Sequence, residues 1–312
     1  MKIVFLDAKT IGDDIDLSGF DQLGEVVKYG FSRSEQVSER AADADVIIVN
    51  KVEVNESTIG NAKNLKLVCV TATGTNNLDK EYLDRRGIAW RNVAGYSTRS
   101  VAQHTFAMLF YLLEKLRYYD DYVKDGRYVD DTIFTHFAES FYELDGKRWG
   151  IIGLGNIGRK VAAIAEAFGA EVIYASASGG APQKGYHQVD LDTLLRTSDI
   201  ISVHAPLDQY TEDLIDARAF RKMKKSCIFL NLGRGPIVVE EDLTEALESG
   251  EIRAAGLDVL RKEPMSPDNP LRRIRDSRRL FITPHIGWAS IESRTRLMEI
   301  ILGQVEEFFR QG

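Results

Sequence analysis

Residues 149–176, WGIIGLGNIGRKVAAIAEAFGAEVIYAS, decide the fold. An apolar run leads into Gly153-x-Gly155-x-x-Gly158, a helix-period segment follows, and a second β-branched run closes at Ser176. The glycine spacing alone is a weak signal. Placed after a strand, at the opening of a helix and before a second strand, it reads as a dinucleotide-binding βαβ unit. Gly153 permits the tight turn, Gly155 lets a pyrophosphate approach the backbone, and Gly158 lets helix and strand pack closely. The N–H groups near Asn156 and Ile157 then face phosphate at the helix start. A fold that prefers NAD ends its second strand in Asp or Glu, which takes the ribose hydroxyls. Here that position is Ser176. No carboxylate repels a 2′-phosphate, no arginine attracts one, and the nearest downstream base is Lys184. The choice between NAD(H) and NADP(H) stays open.

The same alternation runs outward along the chain. Strand-like runs stand at 2–7 (KIVFLD), 46–50, 65–72, 199–206, 227–233, 254–260 and 279–285, with helical periodicity between most of them. Apolar strands alternating with helices predict an α/β protein with doubly wound parallel sheets. Residues 97–124 break the rhythm: 28 positions without Gly or Pro, apolar at helical spacing, predict one long helix that bridges two domains. Beyond it lie Tyr128, Phe134, Phe137, Phe141 and Tyr142. They read either as a packed loop or as an arm laid across a partner subunit. Residues 261–275 hold three prolines and form a loop.

Composition bounds the class. The chain has 312 residues, 44% hydrophobic and 28% charged, which suits two medium domains and excludes bulk disorder. Net charge −7 argues against a non-specific nucleic-acid binder. No apolar run suits a membrane helix, and Asp7 interrupts the N-terminal run too early for a secretory signal. Cys69 and Cys227 form no CxxC, so neither a disulfide framework nor a metal site is expected, and a cytoplasmic setting fits.

Hydride transfer to a 2-oxo acid needs a cation for the carboxylate, an acid for the carbonyl oxygen, and a neighbour that tunes that acid. Five histidines are available. His104 lies in the long helix among apolar neighbours and reads as a packed core residue. His136 and His187 lack strand-end context. His204 and His285 both end strands, and spacing does not separate them. Arg234, between Gly233 and Gly235 after a strand, is the arginine best placed to approach a ligand. Glu263 stands in a loop.

Seven ordered segments carry a resemblance over essentially the whole chain: ATGTNNLD (72–79), YSTRSVAQHTFAML (96–109), GIIGLGNIG (150–158), HAPL (204–207), NLGRGPIV (231–238), AAGLDVLRKEP (254–264) and TPHIGW (283–288). Together they resemble the D-2-hydroxyacid dehydrogenase family, in particular its glycerate dehydrogenase and hydroxypyruvate reductase members. The resemblance implies a catalytic set of Arg234, Glu263 and His285, with His285 the acid. It implies a cofactor site lined by Gly153, Gly155, Asn156, Ile157, Gly158, Ser176, His204, Pro206, Leu232, Gly233, Arg234, Asp258, His285 and Gly287. Lys51, Thr73, Gly74, Arg234, His285 and Trp288 would meet the substrate. A Rossmann nucleotide domain (99–285) would be inserted into a flavodoxin-like substrate domain (1–98 and 286–312), and the chain would form a homodimer. Hydroxypyruvate/glycerate or glyoxylate is the expected substrate pair. A 2-oxoisocaproate-type reductase, a formate, phosphonite or phosphoglycerate enzyme, and an NAD(H)-sensing corepressor are the alternatives. The corepressors tend to carry extra tails, whereas this sequence stops just past its last helix.

Overall fold

The computed structural model describes residues 1–180 and 182–311. The chain forms two compact units, Met1–Ser97 with Ala289–Gly312, and Thr98–Trp288. The second is thus inserted in the first. Its far boundary falls three residues later than the sequence reading places it. The cause is Asp258, whose carboxylate accepts the backbone N–H of Ile286 and of Gly287 at 2.8 Å each and binds that loop to the second unit. Thr98 also joins the second unit.

The first unit is a parallel sheet of β1 (Lys2–Phe5), β2 (Glu25–Lys28), β3 (Val46–Val49), β4 (Leu67–Val70) and β5 (Ala89–Arg91), in spatial order β2-β1-β3-β4-β5. This 2-1-3-4-5 order is the flavodoxin-like winding. In β3 (VIIV) and β4 (LVCV) all four side chains are buried, as expected of central strands covered on both faces. Each such side chain contributes roughly 1.5–3 kcal/mol of burial. The C-terminal helix Ile291–Gln311 belongs to this unit.

The second unit holds β6 (Arg148–Ile152), β7 (Glu171–Ala175), β8 (His187–Gln188), β9 (Ile200–Val203), β10 (Ile228–Asn231), β11 (Ala254–Leu257) and β12 (Leu280–Ile282). All pair in parallel, in the order β12-β11-β10-β9-β6-β7-β8. Counted from β6, the order is 7-6-5-4-1-2-3, a Rossmann sheet with a seventh strand. Its side chains alternate between two cores. Ile151, Tyr174, Ile200 and Leu230 pack with the helices Thr98–Leu113 and Asn156–Ala167 on one face. Ile152, Ile173, Ile201 and Phe229 pack on the other.

Two sequence expectations are corrected. The sequence reading does not contain β2, β5 and β8, three of the four edge strands of the two sheets; the fourth, β12, lies in the apolar run 279–285. Each pairs on one side only and has a short, half-exposed sequence such as EVVK or AWR, so the apolar run that marks a strand is absent. The long helix is also interrupted. Thr98–Leu113 and Leu116–Lys124 are separate helices, broken where Lys115 takes φ 57°. Lys115 is buried there and its ammonium donates to the Arg278 carbonyl at 3.2 Å. A tertiary bond, rather than Gly or Pro, ends the helix.

Candidate active site

The second sheet delivers the expected residues at the carboxyl ends of its parallel strands. Gly153 follows β6, Ser176 follows β7, His204 follows β9, Asp258 follows β11, and Arg234 and His285 lie three residues beyond β10 and β12. That edge is where doubly wound sheets bind ligands.

Gly153 has φ 92°, and a Cβ there would press on the Ala205 backbone at 2.7 Å, so the turn after β6 admits glycine only. Gly155 caps the helix Asn156–Ala167, and the space beside its Cα is open. An open helix start with free-facing N–H groups fits a pyrophosphate. Ser176 ends the second strand with a hydroxyl that accepts the Gly180 N–H at 3.0 Å. Pro206 is exposed, while Leu232 and Gly233 are buried in the turn after β10.

The two strand-end histidines now differ in kind. His285 Nδ1 lies 2.7 Å from Glu263 Oε2, and the other carboxylate oxygen accepts the Leu260 N–H at 2.9 Å. The ring is therefore oriented by a fixed anion, with side chains 28% and 32% exposed. His204 has no such partner. Its Nε2 meets Ser202 Oγ at 3.1 Å, its Nδ1 is buried without a hydrogen bond, and burial pushes its pKa down to about 3. A ring kept neutral in this way cannot donate a proton at neutral pH.

Arg234 is held from behind. Asn231 accepts the Gly233 N–H and donates to the Arg234 carbonyl, both at 3.0 Å. The Arg234 guanidinium donates to the Gly233 carbonyl at 2.8 Å. A Cβ at Gly235 would fall on the Leu260 carbonyl, so this loop lies against the one leading to Glu263. Asn231 stood inside a quoted motif, yet the sequence reading gave it no role. Its signal is a buried polar side chain closing an otherwise apolar strand.

Asp258 is buried and accepts bonds from Thr283 Oγ1 (2.7 Å), Ile286 N and Gly287 N. Burial pushes this carboxyl up, but the bonds from His104, Thr283, Gly287 and Ile286 outweigh it and leave it below the usual carboxylate range. His104, read from sequence as core packing, instead reaches Thr283 Oγ1 with Nε2 at 2.9 Å. Trp288 is half-buried against the core shared with the Asn156–Ala167 helix.

Within the first unit, Lys51 follows β3 and Thr73-Gly74 follow β4, on the carboxyl edge of that sheet. The buried Asp7 carboxylate accepts the N–H groups of Asn50, Lys51 and Val52 and so shapes the turn that carries Lys51. Burial dominates there and raises the Asp7 pKa despite those bonds. Thr73 Oγ1 donates to the Val93 carbonyl at 3.1 Å.

A Rossmann sheet that presents a histidine–carboxylate pair at its ligand-binding edge defines a dinucleotide-dependent dehydrogenase. The family model for the NAD binding domain of D-isomer specific 2-hydroxyacid dehydrogenases matches residues 106–287. A hydroxypyruvate reductase of Blautia hydrogenotrophica is 37% identical over 99% of this chain and 97% of its own. A glycerate dehydrogenase of Methylorubrum extorquens is 35% identical over 98% of this chain and 96% of its own. An acyclic imino acid reductase, solved with NADPH and D-Arg, superposes with TM-score 0.86 at 28% identity, over 100% of this chain and 98% of its own. The chain belongs to the D-isomer specific 2-hydroxyacid dehydrogenase family, the NAD(P)-dependent oxidoreductases that act on CH–OH groups.

Proposed function

We propose that the chain reduces a small 2-oxo acid, hydroxypyruvate or glyoxylate, to its D-2-hydroxy acid, with His285 as the proton donor. The observation that carries this reading is the 2.7 Å bond between His285 Nδ1 and Glu263. The carboxylate fixes the ring through Nδ1, so that Nε2 is the nitrogen that meets the carbonyl oxygen. The nicotinamide, when bound, supplies the hydride. Arg234 offers a planar fork for the substrate carboxylate and polarises the carbonyl. Lys51, Thr73, Gly74 and Trp288 are assigned to substrate contact. Gly153, Gly155, Asn156, Ile157, Gly158, Ser176, His204, Pro206, Leu232, Gly233, Asp258 and Gly287 are assigned to the cofactor. In the reverse direction neutral His285 is the base, so the pH optimum is more acidic for reduction.

The hydroxyl at Ser176 suits either NADH or NADPH. We also assign the chain to a homodimer, supported by the exposure of Val129 (82%), Phe134 (90%) and Phe137 (80%). No helix among the described residues is long and apolar enough to cross a membrane. Two buried free cysteines suit the reducing cytoplasm.

The test is a panel of 2-oxo acids with NADH and NADPH, run on the parent and on His285→Ala. Hydroxypyruvate or glyoxylate should lead the panel. His285→Ala should keep cofactor binding and lose about 10²–10⁴-fold in kcat. Near-parental turnover by the variant would end the assignment.

A further inference from the structure

His285 sits in a conformation that needs holding. Its φ is 56°, the left-handed region that an L side chain rarely adopts without support. The loop Pro284–Gly287 has no regular structure to supply that support. Three of its backbone groups bond to Asp258: His285 N–H to the Asp258 carbonyl, and Ile286 and Gly287 N–H to the carboxylate, each at 2.8 Å. The fourth support comes from the helix Thr98–Leu113. Ser100 Oγ donates to the Gly287 carbonyl at 2.6 Å.

One turn further along the same helix face stands His104. Its Nε2 lies 2.9 Å from Thr283 Oγ1 and 3.5 Å from Asp258 Oδ1. The Thr283 hydroxyl has one proton and gives it to Asp258 Oδ1 at 2.7 Å. It can therefore only accept from His104, which makes Nε2 the protonated nitrogen. The ring also closes the space beside the loop. A Cβ on Gly287 would sit 2.8 Å from Asp258 Oδ2 and 3.4 Å from His104 Cδ2.

We propose that Ser100 and His104 form a positioning pair on one helix face: through Gly287, Thr283 and Asp258 they hold the loop that presents His285 to the substrate. The inference rests on the reading of His285 as proton donor. His104 touches no reacting atom in this scheme. It acts through the hydroxyl of Thr283 and the carboxylate behind the loop. Of the titratable groups near Asp258, His104 lies on the helix side, and the loop bonded to it carries His285, whose ring is paired with Glu263. Without the His104 donor, burial has less opposing it at Asp258. The carboxylate then takes up a proton at higher pH and weakens its hold on two N–H groups.

The test compares His104→Leu, His104→Gln and Ser100→Ala. The readouts are kcat and KM for the 2-oxo acid, the cofactor dissociation constant, and the NMR titration of the His285 ring in cofactor-free protein. His104→Leu should lower kcat by up to about 100-fold, the scale of a misplaced catalytic group. The cofactor dissociation constant should rise by less than kcat falls, the acid limb of kcat should move to higher pH, and the His285 titration should shift. His104→Gln keeps an N–H donor near the Nε2 position and should recover most of the rate. Ser100→Ala removes one oxygen and should give a lesser loss of the same kind. If His285→Ala is inactive while His104→Leu and Ser100→Ala keep parental kcat and titration, the positioning role alone falls. If His285→Ala is itself active, the proton-donor reading falls and takes this inference with it. Equal losses in His104→Leu and His104→Gln, with the His285 titration unmoved, would also overturn the assignment.

Discussion

At the residue scale, chemistry here is decided by what stands behind each side chain. His204 and His285 are the same residue at equivalent strand ends. One is enclosed and driven neutral, with its pKa near 3; the other is bonded to a carboxylate at the loop surface. Ser176 poses the converse question, since its role depends on what it lacks. On the cofactor assignment proposed above, Ser176→Asp places an anion where a 2′-phosphate would lie. Even in a solvated loop, like charges a few ångströms apart repel by roughly 1 kcal/mol, about a fivefold factor. The ratio of kcat/KM for NADPH over NADH should fall by at least about that much, measured with one saturating 2-oxo acid. An unchanged ratio would mean that Ser176 does not face the ribose.

At the element scale, the break between the helices Thr98–Leu113 and Leu116–Lys124 is the least expected feature. Lys115 pays a left-handed backbone and a buried ammonium for one bond to the Arg278 carbonyl. Burial pushes its pKa from 10.5 down to about 8, helped by Arg253 and opposed by Glu139 and Asp276. Between about pH 8 and pH 10.5 the unfolded chain therefore holds a proton that the folded chain does not, and stability rises with pH. Relative to Lys115→Met, which has nothing to titrate there, the parent should gain thermal stability across that window. Parallel melting curves for the two proteins between pH 7 and pH 10.5 would show that the ammonium is not buried. The edge strands teach a related lesson. β2, β5 and β8 carry no apolar run, because one flank of each has no strand neighbour and little covers them. They exist because a neighbouring strand offers them hydrogen bonds, which a window of sequence does not contain.

At the scale of the whole molecule, the apolar side chains between Val129 and Tyr142 remain on the surface of a single chain. A patch of that kind is costly to leave in water, and on the homodimer proposed above it is the surface the partner copy would cover. Phe134→Asp combined with Phe137→Asp should shift the species seen by light scattering from dimer to monomer. A parent that is already monomeric at micromolar concentration would remove the arm's assigned role.

The parallel α/β character of both sheets was legible from the chain alone, because central parallel strands are buried on both faces and advertise themselves as continuous apolar runs; the strand order was not. The glycine fingerprint was legible for a similar reason: a turn that forbids a Cβ leaves a fixed spacing. The family motifs likewise named Arg234, Glu263 and His285. Local sequence could not tell His285 from His204, nor find the partner of His104, nor foresee the break at Lys115. Each of these depends on which atom lies within about 3 Å of a side chain and on how deeply that side chain is buried, and for His104 and Lys115 the partner stands more than 160 residues away, so both are set only when the chain has folded.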